Sequence, residues 1–280
     1  MAIDLAQRQA KVIISGKSVD HAPLQESIRK KSGNENVHFL AMDLLSFKSI
    51  KSFVTQFVST NDHLHLLVNS AGVMLPPFAT SSEGFESQFQ INFLGQHLLT
   101  RLLLPLLKKT AASSAEKETR IVNVTCRAFA LAEVLDLTTV RGEALNETTY
   151  DRGVGYTSSK AAFTMASLHL ARELKEEGVT VNLVHPGVVN SHHGRHLPLF
   201  SNVLFKWTFY PFFWLMTKSP WHGSQTVIFC AVAEACKGLT GKYFVDLFDT
   251  PIEGIVTDED AAKKLVHSAD AWIAEGDKTE

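Results

Sequence analysis

The chain reads as a doubly wound α/β fold with a parallel sheet, and three observations predict it. Short apolar runs that suit strands buried on both faces alternate with amphipathic runs of helical period. That alternation persists over most of the 280 residues, long enough for one large α/β domain or two small ones. No internal repeat and no linker-like stretch divides the chain, so one domain over 1–280 is expected.

In order, residues 2–10 form a helix without a capping residue before it. Val12–Ser15 is a short strand followed by Gly16 and Lys17. A polar helix spans Pro23–Lys31 and turns at Gly33-Asn34. Val37–Met42 is the next strand and ends at Asp43. Ile50, Phe53, Val54 and Phe57 set the apolar stripe of a helix over Phe47–Val58. Leu64–Val68 is a strand running into Asn69-Ser70-Ala71-Gly72. A long helix covers Phe85–Leu107 and is interrupted late by Pro105. A small polar loop fills Ala111–Thr119. Arg120–Thr125 is a strand, Ala130–Gly155 a long loop, and Ala161–Leu174 a helical run that opens near Tyr156. Val179–Val184 is a strand leading to His185-Pro186-Gly187. A helix over Gly223–Ala235, a strand over Lys242–Val245 and a charged amphipathic helix over Asp258–Glu275 complete the pattern.

Composition removes several function classes. A formal net charge of -2 gives no electrostatic reason to expect nucleic acid. Three cysteines, Cys126, Cys230 and Cys236, make no C-x-x-C pair and no even framework, which fits a reducing compartment. The N-terminus has no long apolar core, so neither signal peptide nor membrane span is read there. His192-His193-Gly194-Arg195-His196 places ligand types at i and i+4. Without Cys or carboxylate partners at metal spacing it reads as a solvated loop, and no metal is expected.

Tyr156 and Lys160 stand four residues apart, a spacing that stacks both side chains on one helix face. A phenol beside an ammonium is expected to have its pKa lowered, which makes a tyrosine usable as a general acid/base. Taken alone, the pair is far more often an ordinary surface Tyr and Lys on an amphipathic helix, because Tyr-x-x-x-Lys is common.

The surrounding motifs raise that reading. Asn69-Ser70-Ala71-Gly72 after a strand is similar to the Asn-Asn-Ala-Gly motif of the short-chain dehydrogenase/reductase family. Asn92, within Gln90-Ile91-Asn92-Phe93-Leu94-Gly95, sits where that family carries a relay asparagine. Ile121–Cys126 resembles the strand that ends in its catalytic serine. Tyr156 and Lys160 match its catalytic pair, and Pro186-Gly187 its segment beside the nicotinamide. Gly223–Thr226, Gly241–Phe244 and the aromatic stretch Phe205–Met216 look like the retinol dehydrogenase branch.

The resemblance implies a Rossmann-like sheet and a set of roles. Tyr156 exchanges a proton with the substrate oxygen, Lys160 tunes it and holds the ribose hydroxyls, and Asn92 carries the proton out through water. Asn69, Ala71 and Gly72 approach the adenosine side, and Asp43 faces the adenine. Pro186 and Gly187 lie beside the nicotinamide. Lys17 stands where an arginine in this branch favours a 2′-phosphate, and no acidic residue immediately follows that strand. NADP(H) is therefore the expected cofactor, and an apolar alcohol or carbonyl, retinoid-like, the expected substrate. Phe205–Met216 is too short and too broken to span a membrane. It reads as a packing lid, a substrate wall or a patch resting on a membrane surface. A homodimer, and a cytoplasmic site at the cytosolic face of an intracellular membrane, complete what the resemblance implies.

Two departures stand against it. The family's first strand and its Gly-x-x-x-Gly-x-Gly loop are missing, so the first βα unit is incomplete. Gly153-Val154-Gly155 does not replace that loop and reads as the loop before the Tyr156 helix. The loss is expected to leave two strand edges unpaired inside the protein, so the chain reads either as a truncated or spliced form or as one in which something replaces that strand. Cys126 occupies the serine position, and a thiol is a weak donor. Thr125 has a hydroxyl, but on a strand it faces the other way. A catalytically impaired relative, or an interaction protein on the same scaffold, is the competing reading.

Overall fold

The computed structural model describes residues 1–17, 21–115, 117–137, 140–141, 146–190 and 217–276. Phe205–Met216 and the histidine-rich run 192–196 lie outside the described residues.

Strands β1 (Val12–Gly16) and β2 (Val37–Ala41) pair in parallel as a two-stranded sheet. Strands β3 (Leu66–Asn69), β4 (Thr119–Val124), β5 (Val179–His185), β6 (Tyr243–Val245) and β7 (Phe248–Asp249) form a second sheet in that order. All of its pairs are parallel except β6–β7. The sequence reading lacks β7, a two-residue strand too short to show a period.

Helices cover both faces. Helix α1 (Ala2–Gln7) and α2 (Ala22–Ser32) pack on the β1–β2 pair around Ala6, Ile28 and Val37. Helix α3 (Phe47–Thr60) packs on the opposite face, its N-terminus capped by the Ser46 hydroxyl. Beside it lie α4 (Ser87–Phe89), α5 (Gly95–Ser113) and α6 (Arg152–Glu173). Helix α7 (Pro220–Val232) covers the other face of β4–β6, and α8 (Glu259–Gly276) packs along α6. Period two sorts the core. Ile121, Val181 and Leu183 face the α3–α5–α6 side, while Val122 and Val184 face α7.

Three local expectations are corrected. The run Phe85–Leu107 is not one α-helix: residues Gln90–Leu94 form a π-helical turn between α4 and α5. Pro105 does not interrupt α5, which continues through it to Ser113. Gly153–Gly155 is not a loop, because α6 begins at Arg152. The Asp151 carboxylate accepts from the Gly153 and Val154 N–H groups and starts the helix four residues before Tyr156.

Nothing described lies between β1 and β3. Among the described residues each is paired on one side only, and both line a cavity of about 860 Å³. The expectation of two unpaired edges thus describes the molecule, with one difference. The edges are not sealed inside: Val12, Ile13, Ile14, Leu66, Leu67 and Val68 are only half-buried.

Candidate active site

The C-terminal ends of the parallel strands gather the residues that the motifs single out, as open α/β sheets do. Helix α6 carries Tyr156 and Lys160, and β4 delivers Cys126 to them. The Tyr156 hydroxyl lies 3.2 Å from the Cys126 sulfur. Burial raises the Tyr156 pKa above the ordinary phenol value, and the neighbouring thiol adds to the rise. The expected lowering by Lys160 is therefore corrected. The Lys160 ammonium donates to the Val124 carbonyl at 3.4 Å and sits 5.9 Å from the Phe163 ring centre. Its own pKa is lowered by burial. Thr125 spends its hydroxyl on Thr164 at 3.0 Å, and is not re-aimed toward Tyr156.

Asn92 is fully buried on the π-helical turn, a feature that often marks functional sites. Its amide donates to the Val73 carbonyl and to Ser159 Oγ, and its carbonyl accepts from the Val73 N–H. Ser159 in turn donates to the Tyr156 carbonyl at 2.8 Å. Asn92 thus couples the segment after β3 to the helix that carries Tyr156.

Two further amides, missing from the sequence reading, continue that coupling. Gln88 accepts from the Leu75 N–H and donates to Tyr150 Oη and the Arg152 carbonyl. Gln96 donates to the Ala71 carbonyl at 3.1 Å. Gln88, Asn92 and Gln96 recur every fourth residue and grip residues 75, 73 and 71 of the irregular segment after β3. The signal was present as three amides at helical spacing beside an apolar stripe. Tyr150 Oη also donates to Glu86, whose carboxylate caps α4. Gly155 allows this contact: a Cβ there would stand 2.5 Å from Tyr150 Oη.

The segment Asn69–Gly72 ends β3. The Asn69 side chain turns inward, donating to Thr100 and Asn123 and tying β3 to α5 and β4. Ala71 is exposed and Gly72 half-exposed. Lys17 at the end of β1 makes a 2.9 Å ion pair with Asp43 after β2. Asp43 is also held by Ser49 and Leu45. Pro186-Gly187 follows β5, and Gly187 adopts φ 80°, open to glycine at little cost. A Cβ at Gly187 would stand 3.1 Å from the Lys218 side chain, which pairs with Asp246. Burial and the Arg127 charge lower the pKa of His185, which precedes them. Among the described residues no cluster of three or more His, Cys, Asp or Glu could hold a metal.

A Tyr–Lys pair on one helix beside the ends of a parallel sheet wound on both faces, with a buried asparagine nearby, fits a class of nucleotide-dependent oxidoreductase. The family model described as enoyl-(acyl carrier protein) reductase matches residues 1–245, and the chain belongs to the short-chain dehydrogenase/reductase family. Within it, the chain is 37% identical over 246 residues to retinol dehydrogenase 11 of Mus musculus, covering 88% of this chain and 72% of that protein. Retinol dehydrogenase 11 of Homo sapiens is 36% identical over 265 residues, 94% of this chain and 78% of that one. Among solved structures, an uncharacterized protein from Mycobacterium paratuberculosis superposes with a TM-score of 0.69 at 22% identity, covering 98% of this chain and 87% of that one. The Pseudomonas aeruginosa RhlG/NADP active-site complex gives a TM-score of 0.63 at 22% identity, covering 87% of each chain. At these identities the two structures speak to the fold alone.

Proposed function

We propose that the chain is an NADP(H)-dependent oxidoreductase that interconverts an apolar, retinoid-like alcohol and its carbonyl. The observation that carries the reading is the Tyr156–Cys126 contact with a buried ammonium one helical turn along. Lys160 is 4% exposed and has three N–H donors, of which one makes a long bond to Val124. Among the described residues the other two donors of this buried cation make no hydrogen bond, which suits the vicinal diol of a ribose. The donor set therefore fits the nicotinamide half of the cofactor. Lys17 suits a 2′-phosphate, and Ala71 and Gly72 allow close backbone approach on the adenosine side. The pyrophosphate half is supported less, since a glycine loop is lacking among the described residues.

The bound dinucleotide supplies or accepts the hydride. The chain's part is the proton. The phenol is protonated at neutral pH and can donate to a carbonyl oxygen, although burial, by raising its pKa, makes it a weaker acid. The Cys126 thiol, 3.2 Å away, orients that phenol but polarises a carbonyl more weakly than a hydroxyl would. Asn92 and Ser159 hold the helix that carries the phenol. Among the described residues no helix is long and apolar enough to cross a membrane. A cytoplasmic site at an intracellular membrane surface, and a homodimer, belong to the same proposal.

Titrating the purified chain with NADPH and NADH separately tests it. NADPH should bind the more tightly, and an apolar aldehyde should then be reduced. A folded sample that binds neither would overturn the enzyme reading in favour of a scaffold that has lost its cofactor grip.

A further inference from the structure

Three parallel strands end side by side at the site. The register sets Val124 of β4 opposite Val184 of β5, and His185 of β5 opposite Val245 of β6. The residues that leave these strands therefore stand in one row: Cys126 and Arg127 from β4, His185 and Gly187 from β5, and Asp246 from β6. Lys218 joins them. Its N–H donates to the Val188 carbonyl, and its carbonyl accepts from the Asn190 N–H. Its side chain lies across Gly187, where a Cβ would stand 3.1 Å from the ammonium, and that ammonium pairs with Asp246.

The row is uneven in charge. Lys218 has its carboxylate in Asp246, whereas Arg127 is exposed and makes no ion pair among the described residues. The Arg127 guanidinium leans over β5 and β6, since its charge bears on His185 and on the Tyr243 hydroxyl. The His185 imidazole supplies no balancing group. Burial first, and then the Arg127 charge, holds its pKa below the usual value, so the ring is neutral at neutral pH. Its Nδ1 is buried without a hydrogen-bond partner among the described residues, so the chain's own groups leave the row incomplete.

Arg127 directly follows Cys126, whose sulfur lies 3.2 Å from Tyr156 Oη. A ligand whose carbonyl rests on Tyr156 thus passes the guanidinium within its own length. A wholly apolar ligand would leave that cation without a counter-charge once water is excluded, which is unfavourable. A planar carboxylate satisfies the guanidinium fork with two parallel, charge-assisted N–H···O bonds.

We propose that Arg127 forms a carboxylate subsite of the Tyr156 site. The substrate is then an oxo acid or hydroxy acid, an apolar chain with the reacting carbonyl or alcohol at one end and a carboxylate at the other. The inference rests on the oxidoreductase reading for the reacting end; the carboxylate contact itself needs no cofactor.

The test uses the full chain and two non-reacting probes of one length, dodecanoate and dodecan-1-ol, titrated by calorimetry. Dodecanoate should bind at least roughly tenfold more tightly than the alcohol. Arg127→Gln should remove that preference and leave the affinity for the alcohol unchanged. Lys218→Gln should keep the preference, because that ammonium is already spent on Asp246. Equal binding of the two probes by the parent overturns the proposal. So does an unchanged preference in Arg127→Gln, or a preference lost in Lys218→Gln instead. Turnover separates the subsite from the reading it rests on. With NADPH, kcat/KM for ω-oxododecanoate should exceed that for dodecanal by at least roughly tenfold, and Arg127→Gln should level the two. Reduction of both aldehydes at equal kcat/KM overturns the subsite and keeps the oxidoreductase reading. Arg127-dependent binding of dodecanoate with no turnover of either aldehyde overturns the oxidoreductase reading and leaves the carboxylate site in place.

Discussion

The Cys126 sulfur and the Tyr156 hydroxyl meet at 3.2 Å, and this contact decides how the site performs. A hydroxyl at position 126 would polarise a substrate oxygen that the thiol polarises weakly. Removing one such donor typically costs about 10²–10³ in rate. Cys126→Ser should therefore raise kcat by at least roughly tenfold, with little change in cofactor affinity. Steady-state kinetics on a common apolar aldehyde would show it; an unchanged kcat would mean that the serine position has been assigned to the wrong residue. Lys160 gives a pH signature. Its folded-state pKa lies below its unfolded value because burial disfavours the ammonium. Between those two values the unfolded chain binds more protons, so stability rises with pH across that window. Lys160→Met should abolish that rise. Thermal melts of both proteins in steps up to about pH 10, near the unfolded lysine value, would reveal a stability gap that moves in favour of the parent as pH rises. At this scale the motifs single out residues of which Cys126 and Tyr156 meet, while Asn92 reaches the Tyr156 helix through Ser159 and Lys160 bonds to the Val124 carbonyl. The direction of the Tyr156 shift was not legible in the sequence, because spacing on a helix says nothing about how deeply a phenol is buried or where a lysine points its ammonium.

Among the elements, the turn from α4 through the π-helical segment into α5 organises the site. Its three amides hold residues 71, 73 and 75, and Gln88 also ties Tyr150 and the first turn of α6. The register of this clamp depends on Gly155. Gly155→Ala would force a methyl against Tyr150 Oη, and overpacking of this kind costs about 1–3 kcal/mol. Tyr150→Phe in the same chain should recover part of the loss, because it removes the oxygen that the methyl meets. Chemical denaturation of the two single variants and the double variant would measure the coupling, and simple additivity would count against the contact. The sequence placed these helices but not the π-helical turn, since one extra residue per turn leaves the apolar stripe nearly unchanged. It also misread Gly153–Gly155 as a loop. Glycine is a poor helix former, and the Asp151 cap that outweighs it lies outside the glycine run.

For the whole molecule, the division of the sheet matters most. The parallel sheet was legible from the alternation of strands and helices, and the gap between β1 and β3 from the family resemblance. What sequence could not supply was how the vacancy is accommodated, because that depends on packing around it. The β1–β2 pair with α1 and α2 has a small core of its own beside the face it packs on the main core, and among the described residues no ladder bonds join it to the five-stranded sheet. Regions held by few shared contacts open at lower free energy than the rest. Urea unfolding should accordingly be non-coincident by two probes. In a chain carrying Trp207→Phe and Trp214→Phe, far-UV circular dichroism should begin to change before the fluorescence of Trp221 and Trp272, which both lie in the larger part. Superimposable curves would mean that the two sheets melt as one.

The half-buried strands flanking that vacancy have a thermal consequence. The heat capacity of unfolding follows the apolar surface newly exposed to water, about 12–15 cal/mol/K per residue in closed domains. Here part of that surface, from Val12 to Ile14 and from Leu66 to Val68, is already wet in the native state. The increment per residue therefore falls below the usual range, and the curve of stability against temperature is flatter. Such a molecule is less stable than a closed sheet near its optimum, yet loses comparatively little of its stability on cooling.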